Sequence, residues 1–285
     1  MVRKRSKVNN SVRGLLLIAI AVMVIFPFIY ITESVIEVIE EEQRIAKEAE
    51  KTSKDIDVVK VEQPLHDVDL PDFAAIKDIP QRKQRFFDYL KPAIDAENKR
   101  LAKLRVELTE YQLVLNNQQE LSKNQKQRLK SLAKKYKVKA KTKALKLEEL
   151  LKRVDQIPRE LVLVQAANES AWGSSRFARI GLNFFGIWCY KKGCGLVPKG
   201  RDAGLNHEVA SFDSIEAMIK HYFHNINTNQ AYDMFRQIRQ QFRENDLPLR
   251  PDVLATGLLP YSERGIDYVV EINTMLRHNH RYIKS

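Results

Sequence analysis

The sequence is poor in cysteine, with two in 285 residues, Cys189 and Cys194. A zinc site would need two further ligands, and none lie nearby at the spacing typical of zinc, so no metal site is expected here. Four residues, YKKG, separate the pair and have the composition of a turn. In an oxidising compartment the two cysteines are predicted to form a disulfide, with free thiols as the alternative. The chain also lacks internal repeats, which excludes a repeat architecture.

Charged residues are absent from residues 14–31, and these eighteen residues are apolar. As a helix they cover about 27 Å, close to the thickness of a hydrocarbon core, so residues 12–32 are predicted to be a membrane anchor. The basic segment 1–11, which contains RKRSK, predicts that the N-terminus is cytoplasmic. No small-x-small cleavage site follows, which argues against a removed signal peptide. The expected location is the inner membrane, with one pass and the rest of the chain in the periplasm.

Residues 122–147 contain no acidic residue, and eleven residues of this segment are Lys or Arg. The chain as a whole has a formal net charge of +12. Such a balance favours an anionic partner, whether nucleic acid, a membrane surface or an acidic polymer. Because the anchor places the chain outside the cytoplasm, nucleic acid is not expected, and the basic run is interpreted as a solvated face or one attracted to an anionic surface. Protein partners are not indicated.

The rest of the sequence predicts helices with a small β insert. Residues 33–72 are interpreted as a helical stalk and a proline-containing linker, and residues 73–150 as an N-terminal helical part in which Pro92 kinks or interrupts the first helix. Apolar spacing predicts further helices at 124–136, 144–154, 161–168, 214–239 and 265–278. Residues 181–200 have the composition of loops and a short hairpin, and HEVASF alternates like a strand. The fold class is therefore α+β, mostly helical, with a principal domain at 151–285.

The helix predicted at 161–168 is apolar on nearly every side and is followed directly by Glu169. A carboxyl at the end of a buried helix loses hydration, which raises its pKa. A carboxyl that keeps its proton near neutral pH can donate it to a leaving oxygen, as the cleavage of a glycosidic bond requires. Trp172 would shield this acid or stack on a sugar ring. An exposed glutamate without a role is the structural alternative.

The segment ANESAWGSSRFARIGLNFFGIWC resembles the motif of the bacterial N-acetylglucosaminidases of glycoside hydrolase family 73. The matching positions are Glu169, Ser170, Trp172, Gly173, Ser175, Arg176, Ala178, Asn183, Phe185, Gly186 and Ile187. The resemblance implies a lysozyme-like domain that needs no cofactor and has no amidase activity. It implies an endo-acting enzyme that hydrolyses the β-1,4 bond after N-acetylglucosamine in peptidoglycan glycan strands. Glu169 corresponds to its general acid, and the glycine-bearing turn after it would leave room for the sugar chain.

Other site residues follow from the same resemblance. The family's second acid is sought in the hairpin, where this chain offers Asp202 and Glu208. The family's C-terminal tyrosine corresponds to Tyr261 in PYSERGIDY, where Glu263, Arg264 and Gly265 replace the family's Thr-Asp-Pro, and Tyr268 is the fallback.

Candidate substrate-binding residues are Trp172, Asn183, Phe185 and Trp188, with Tyr268 as a further candidate. Aromatic faces suit the C–H faces of pyranose rings, although aromatic residues at this density also build cores. His207, His221 and His224 have no carboxylates at matching spacing, so no metal is expected.

Two other functions remain open from the sequence. A lytic transglycosylase also uses one glutamate in a lysozyme-like fold. A membrane-tethered protein that binds the cell wall without cleaving it is the non-enzymatic alternative, with residues 33–150 engaging a partner.

Overall fold

The computed structural model describes residues 62–198, 200–201 and 204–284. The predicted basic segment 1–11, the anchor 12–32 and most of the predicted stalk lie outside the described residues. Across the part that is described, none of the helices combines the length and the apolar character that crossing a bilayer requires.

The first helix, α1, runs from Ile79 to Asn116 and begins at Asp78, whose side chain caps it by accepting from the Gln81 N–H at 2.7 Å. Of the two effects expected at Pro92, an interruption was wrong, because the helix continues through that residue, and a kink stays a prediction. Proline removes one backbone hydrogen bond and costs about 3 kcal/mol in a helix interior. Here Phe86, Phe87 and Leu90 before it and Ile94 after it are all fully buried, and their packing offsets that cost.

Two short helices carry the basic run. Helix α2 spans Lys123–Lys135 and starts at a capping box in which Ser122 and Gln125 satisfy each other's backbone N–H groups. Helix α3 spans Lys143–Arg153 and is capped by Thr142. Both helices bury a few leucines and leave their lysines at the surface. These boundaries confirm the predicted helices to within a residue.

Helix α4, Arg159–Glu169, lies at the centre of the molecule. All seven residues from Leu161 to Ala167 are buried, which confirms the prediction of a helix enclosed on all sides. It packs against α1 and against the last helix, α9, which spans Ile266–Lys284. One hydrophobic core runs from Phe73 to Ile283, so the predicted N-terminal part and the principal domain share the same core.

A three-stranded antiparallel sheet follows the short helix α5, Arg176–Gly181. Strands β1 (Trp188–Cys189) and β2 (Gly195–Leu196) both pair with β3 (Glu208–Ala210), which lies between them. The expected hairpin is therefore a sheet in which β1 and β2 are not hydrogen-bonded neighbours. Their connection is closed instead by the predicted disulfide between Cys189 and Cys194.

The helix predicted at 214–239 is divided in the structure. Helix α6 spans Ile215–Thr228, and after a 3-10 turn at Gln230–Tyr232 the chain continues as α7, Asp233–Glu244. Asn229 separates them because it adopts an extended backbone and caps the turn, accepting from the Ala231 N–H at 3.1 Å. A short helix α8, Pro251–Leu254, and a 3-10 segment, Ala255–Tyr261, then lead to α9.

Residues 62–72, predicted as linker, lie against the folded domain. The Leu65 N–H donates to the Ile180 carbonyl at 2.8 Å, and Glu62 forms a salt bridge with Arg176 at 2.5 Å. Val68 and Leu70 are partly buried against the core. Residues 62–72 therefore pack with the domain that the sequence predicted to begin near Phe73.

A buried ion cluster connects α7 to the start of α4. Asp155 is 2% exposed and lies 2.9 Å from Arg243, 3.5 Å from Arg105 and 3.8 Å from Arg239. Burial alone would raise the pKa of Asp155, but the arginines, Arg239 first, outweigh it and hold the pKa below its usual value. Burial lowers the pKa of Arg239 to about 10.

Candidate active site

Glu169 is the last residue of α4, and the chain turns sharply away after it. The Ser170 hydroxyl donates to the Ala166 carbonyl at 2.6 Å and accepts from the Gly173 N–H at 2.8 Å. Ala171, Trp172 and Gly173 all have positive φ angles, a conformation that costs energy for a residue with a side chain. This turn ends the helix and leaves the Glu169 carboxyl at the helix end.

The carboxyl of Glu169 is partly buried, and its environment favours the protonated form. Desolvation is the largest influence and raises the pKa, while hydrogen bonds from Tyr268 and Asn168 and the charge of Arg264 act in the opposite direction. The net effect is a raised pKa. This is the electrostatic condition predicted from the position of Glu169 at the end of an apolar helix.

A row of buried polar groups lies behind Glu169. The Tyr222 hydroxyl donates to Gln165 Oε1 at 2.5 Å, and Gln165 Nε2 donates to the Tyr268 hydroxyl at 2.9 Å. Tyr268 in turn hydrogen-bonds the Glu169 carboxyl. Gln165 and Tyr268 are both fully buried, so this row fixes the carboxyl from the protein side and leaves its other side to the cleft.

Glu169 lines a surface cleft of about 390 Å³. Phe185, Gly186 and Trp188 form one wall. The lining also includes residues of α6 and of the segments after it, namely His221, Asn225, Asn229, Tyr232 and Tyr261. A Cβ built on Gly186, which has a φ of +62°, would lie 3.9 Å from Glu169 Oε2. Glycine at this position therefore keeps the space beside the carboxyl open.

Two aromatic side chains at the cleft are accessible to a ligand. Trp188 is 49% exposed and its ring lies 4.3 Å from that of His207, while Tyr190 is 80% exposed. Phe185, in contrast, is 2% exposed and stacks on Tyr222 with ring centroids 3.9 Å apart. The structure thus brings Trp188 and Glu169 into one cleft, as the sequence predicted, and gives Phe185 a supporting position in its wall.

Trp172 does not line the cleft. Its ring packs against Phe86 and Phe87 of α1 with centroids 5.7 and 5.3 Å apart, and Lys83 Nζ lies 5.0 Å above it. Its assignment to substrate binding therefore has no support from the geometry. The expected space at Gly173 is also filled, since a Cβ there would lie 2.5 Å from the Phe73 ring. The turn after Glu169 is anchored on α1 by these two residues.

Asn183 has a structural position in place of the predicted contact with substrate. It is 1% exposed, and its Nδ2 donates to the carbonyls of Ile187 and Ala210, both at 2.8 Å. Its Oδ1 accepts from the N–H groups of Phe185 and Ile187. The side chain is occupied by backbone groups and holds the loop that carries Phe185 and Gly186 to the cleft.

Glu208 is held within the sheet and away from the cleft. It is 4% exposed and accepts from the N–H groups of Gly193 and Gly195, both at 2.9 Å. Hydrogen bonds from the backbone, that of Gly193 first, lower its pKa. A carboxylate tied to the disulfide loop in this way does not fit the predicted role of second catalytic acid. Asp202 lies outside the described residues.

Tyr261 and Tyr268 are stacked with ring centroids 5.5 Å apart. Tyr261 lines the cleft, but its hydroxyl donates to the Phe185 carbonyl at 2.8 Å. Tyr268 is fully buried and reaches Glu169 from behind, so it is not placed to bind a ligand. The predicted pair of tyrosines is therefore present at the site with Tyr261 at the cleft and Tyr268 beneath it.

Several residues of the site were not found from the sequence. Gln165 had a detectable signal, because it is the one polar residue within the apolar run of α4 and lies one turn before Glu169, on the same face. Asn225, Asn229 and Tyr232 follow no motif. Asn225 reaches the cleft from α6, and Asn229 and Tyr232 reach it from the turn between α6 and α7. Among the described residues, one group has ligand atoms close enough together to hold a metal ion, and it consists of Cys189, Cys194 and Glu208. Both sulfurs of this group are joined in the disulfide.

Comparison with known proteins identifies the segment that carries the site. Residues 144–264 match the glucosaminidase family, described as mannosyl-glycoprotein endo-beta-N-acetylglucosaminidase. The chain is also 35% identical to Protein bax of Escherichia coli (strain K12) over 142 residues, which are 50% of this chain and 50% of that protein. The aligned part thus spans about half the length of that relative. No solved structure matches the chain.

The matched segment contains both cysteines and all of the described residues that line the cleft, from Glu169 to Tyr261. It begins within α3, which means that α1 and α2 supply the packing around the matched segment from outside it. Residues 144–264 therefore match a glucosaminidase family domain, and this match supports a glycosidase-type enzyme.

Proposed function

We propose that the chain is a peptidoglycan hydrolase that cleaves the β-1,4 glycosidic bond after N-acetylglucosamine, with Glu169 as the general acid. The observation that carries this proposal is a partly buried carboxyl at an open cleft, with its pKa raised by desolvation. Such a group donates its proton to the departing sugar oxygen. The family match and the likeness to Protein bax support the class of enzyme.

The protein must also stabilise or capture the sugar cation that forms when the bond breaks. Glu169 is the one carboxylate among the described residues that line the cleft, and Glu208 is engaged by the backbone. Glycosidases of this kind use a second carboxylate, or the acetamido group of the substrate itself as an internal nucleophile. Of these two, participation of the acetamido group fits the described lining.

A lytic transglycosylase is the second candidate, and the single carboxylate favours it equally well. Digestion of purified peptidoglycan by the full 285-residue chain, followed by mass spectrometry of the fragments, separates the two. Fragments with reducing N-acetylglucosamine ends support the proposed hydrolase. Fragments with anhydro-muramyl ends establish the transglycosylase, and binding to peptidoglycan without any released fragment establishes a wall-binding protein.

For location, we propose that residues 12–32 anchor the chain in the inner membrane and that the domain faces the periplasm. The disulfide supports an oxidising compartment, where the glycan substrate also lies. Fusion of a periplasm-active reporter to the C-terminus tests this orientation. Activity of a cytoplasm-specific reporter at the same position would reverse it.

The two tryptophans are expected to respond differently to substitution. Trp188→Ala removes an exposed aromatic surface from the cleft, so KM for glycan strands should rise about three- to tenfold with little change in melting temperature. Trp172→Ala removes packing against α1 and should lower the free energy of unfolding by about 2–3 kcal/mol, with KM unchanged. Steady-state kinetics and urea denaturation measure both effects. Equal effects of the two variants on KM would contradict the assignment of Trp188 to the ligand and of Trp172 to packing against α1.

The pH profile should report the hydrogen bond between Tyr268 and Glu169. This bond favours the ionised carboxylate, so Tyr268→Phe raises the pKa of Glu169 further. Because the general acid must be protonated, the alkaline limb of kcat/KM should move to higher pH. Tyr222→Phe is the matched control, since Tyr222 lies at the far end of the same row and bonds Gln165. If the alkaline limb of kcat/KM does not move in Tyr268→Phe, or moves equally in Tyr222→Phe, the hydrogen bond from Tyr268 does not set the pKa of Glu169.

A further inference from the structure

A second cavity, of about 330 Å³, lies between α1, α2 and α6. Arg100 of α1, Lys135 at the end of α2 and Lys220 of α6 contribute cationic groups to its lining, and His221 and His224 complete that side. This is where part of the basic run, which the proposed chemistry does not use, meets the principal domain.

The positive charge of this cavity is largely uncompensated. Glu97 is the one acid in its lining, and both of its oxygens accept from Arg100, at 2.6 and 2.7 Å. Lys135 and Lys220 form neither a salt bridge nor a hydrogen bond with any residue in the described part of the chain. Two ammonium groups at one cavity without counterions form a site for an anionic group of a ligand.

Neighbouring groups already respond to this charge. Desolvation, followed by the charges of Arg100 and Lys220, lowers the pKa of Lys135. Desolvation, followed by the charges of Lys137 and Lys135, lowers the pKa of His224. A bound carboxylate would reverse these effects, because it stabilises the protonated form of each group.

An unpaired acceptor lies beneath the lining of the cavity. Asn227 is 1% exposed and lines the cavity, and its Nδ2 donates to the Asp155 carbonyl at 3.1 Å, which fixes the orientation of the amide. Its Oδ1 is buried and has no hydrogen-bond partner in the described structure. This oxygen has almost no accessible surface, so it accepts no hydrogen bond from a ligand in this conformation. The charge of the cavity therefore carries the inference, and the anionic groups that accompany a glycan strand of peptidoglycan are the carboxylates of its peptides.

The cavity and the cleft are adjacent, because His221 lines both of them. We propose that this cavity binds the carboxylate-bearing peptide attached to a glycan strand whose sugar occupies the cleft beside Glu169. The inference rests on the proposed action on peptidoglycan, and adds that the enzyme recognises the peptide as well as the sugar. Preference for peptide-bearing strands is its consequence.

The test compares KM for glycan strands that carry their peptides with KM for the same strands after the peptides are removed. The unmodified chain should prefer the peptide-bearing strands by about fivefold, the range expected for two partly exposed charge contacts. The double variant Lys135→Gln and Lys220→Gln should lose this preference. The control Lys130→Gln and Lys134→Gln removes the same charge from exposed positions of α2 that do not line the cavity, and should keep the preference.

A preference that survives in Lys135→Gln and Lys220→Gln, or that is lost equally in the control, overturns the inference and leaves the hydrolase proposal intact. If no glycan is cleaved by the unmodified chain, the hydrolase proposal fails, and calorimetry with N-acetyl-alanyl-glutamate then tests the cavity alone. Weaker binding of this dipeptide to the cavity variant than to the control supports a peptide site. Equal binding to both variants excludes it.

Discussion

Replacing Glu169 by Gln should reduce kcat on peptidoglycan by about 10²–10⁴-fold and leave the fold intact. The amide has nearly the shape of the carboxyl and still accepts from Tyr268, so little packing is lost. It has no acidic proton to give to the leaving oxygen. Release of dye-labelled fragments from peptidoglycan measures the activity, and thermal unfolding followed by circular dichroism measures the fold.

Glu160→Gln is the matched control for this substitution. Glu160 lies in the first turn of the same helix, at the end opposite to the cleft, so the same chemical change is made in α4 away from the site. Its activity should remain near that of the unmodified chain, with at most about 1 kcal/mol lost from the interaction with the helix dipole. Full activity of Glu169→Gln, or equal losses in both variants, would remove Glu169 from the role of acid.

The position of Glu169 was predictable because both of its determinants are local. A run of apolar residues long enough to be enclosed shows as a helix without a polar face, and the acid that ends it is read directly from the chain. The raised pKa then follows from burial, which needs no knowledge of the distant residues around the site. The helices with strong apolar spacing were predicted for the same reason.

Trp172 and Asn183 show where a motif stops being informative. Both belong to the segment that resembles the family, and both were assigned to substrate binding. The structure places them in the scaffold, with Trp172 on α1 and Asn183 bonded to four backbone groups. A motif records that a residue is required, and whether it touches substrate or supports the turn depends on contacts between segments far apart in the chain.

The pairing of the sheet and the depth of Tyr268 depend on the same long-range contacts. Strand β3 lies between β1 and β2 and pairs with both of them. The local sequence does not predict this strand order, because it depends on contacts between strands that are separate in the chain. Tyr268 follows Tyr261 by seven residues, and the two rings stack because α9 begins between them. The sequence predicted that both tyrosines belong to the site. The packing of α9 on α4 decides that Tyr261 lines the cleft and that Tyr268 lies beneath it and bonds Glu169.

The largest effect on stability is expected at Asp155. Asp155→Asn removes the negative charge that faces Arg239, which is fully buried and has no way to reach solvent. Breaking one side of a buried ion cluster costs about 3–5 kcal/mol, because the remaining charge is left uncompensated. Urea denaturation at neutral pH measures this loss. Asp95→Asn is the control, since the pair of Asp95 with Arg159 is exposed and should contribute less than about 1 kcal/mol.

The pH dependence of the same variant gives a second measurement with a definite sign. The pKa of Asp155 is lower in the folded chain than in the unfolded one, so its stabilising contribution is present above the unfolded value of about 4. The contribution is lost as the pH falls through the lowered folded value. The unmodified chain should therefore lose stability below about pH 4, and Asp155→Asn should lose less over the same interval. Parallel acid profiles for the two proteins would show that the charge of Asp155 is not what holds α7 against the start of α4.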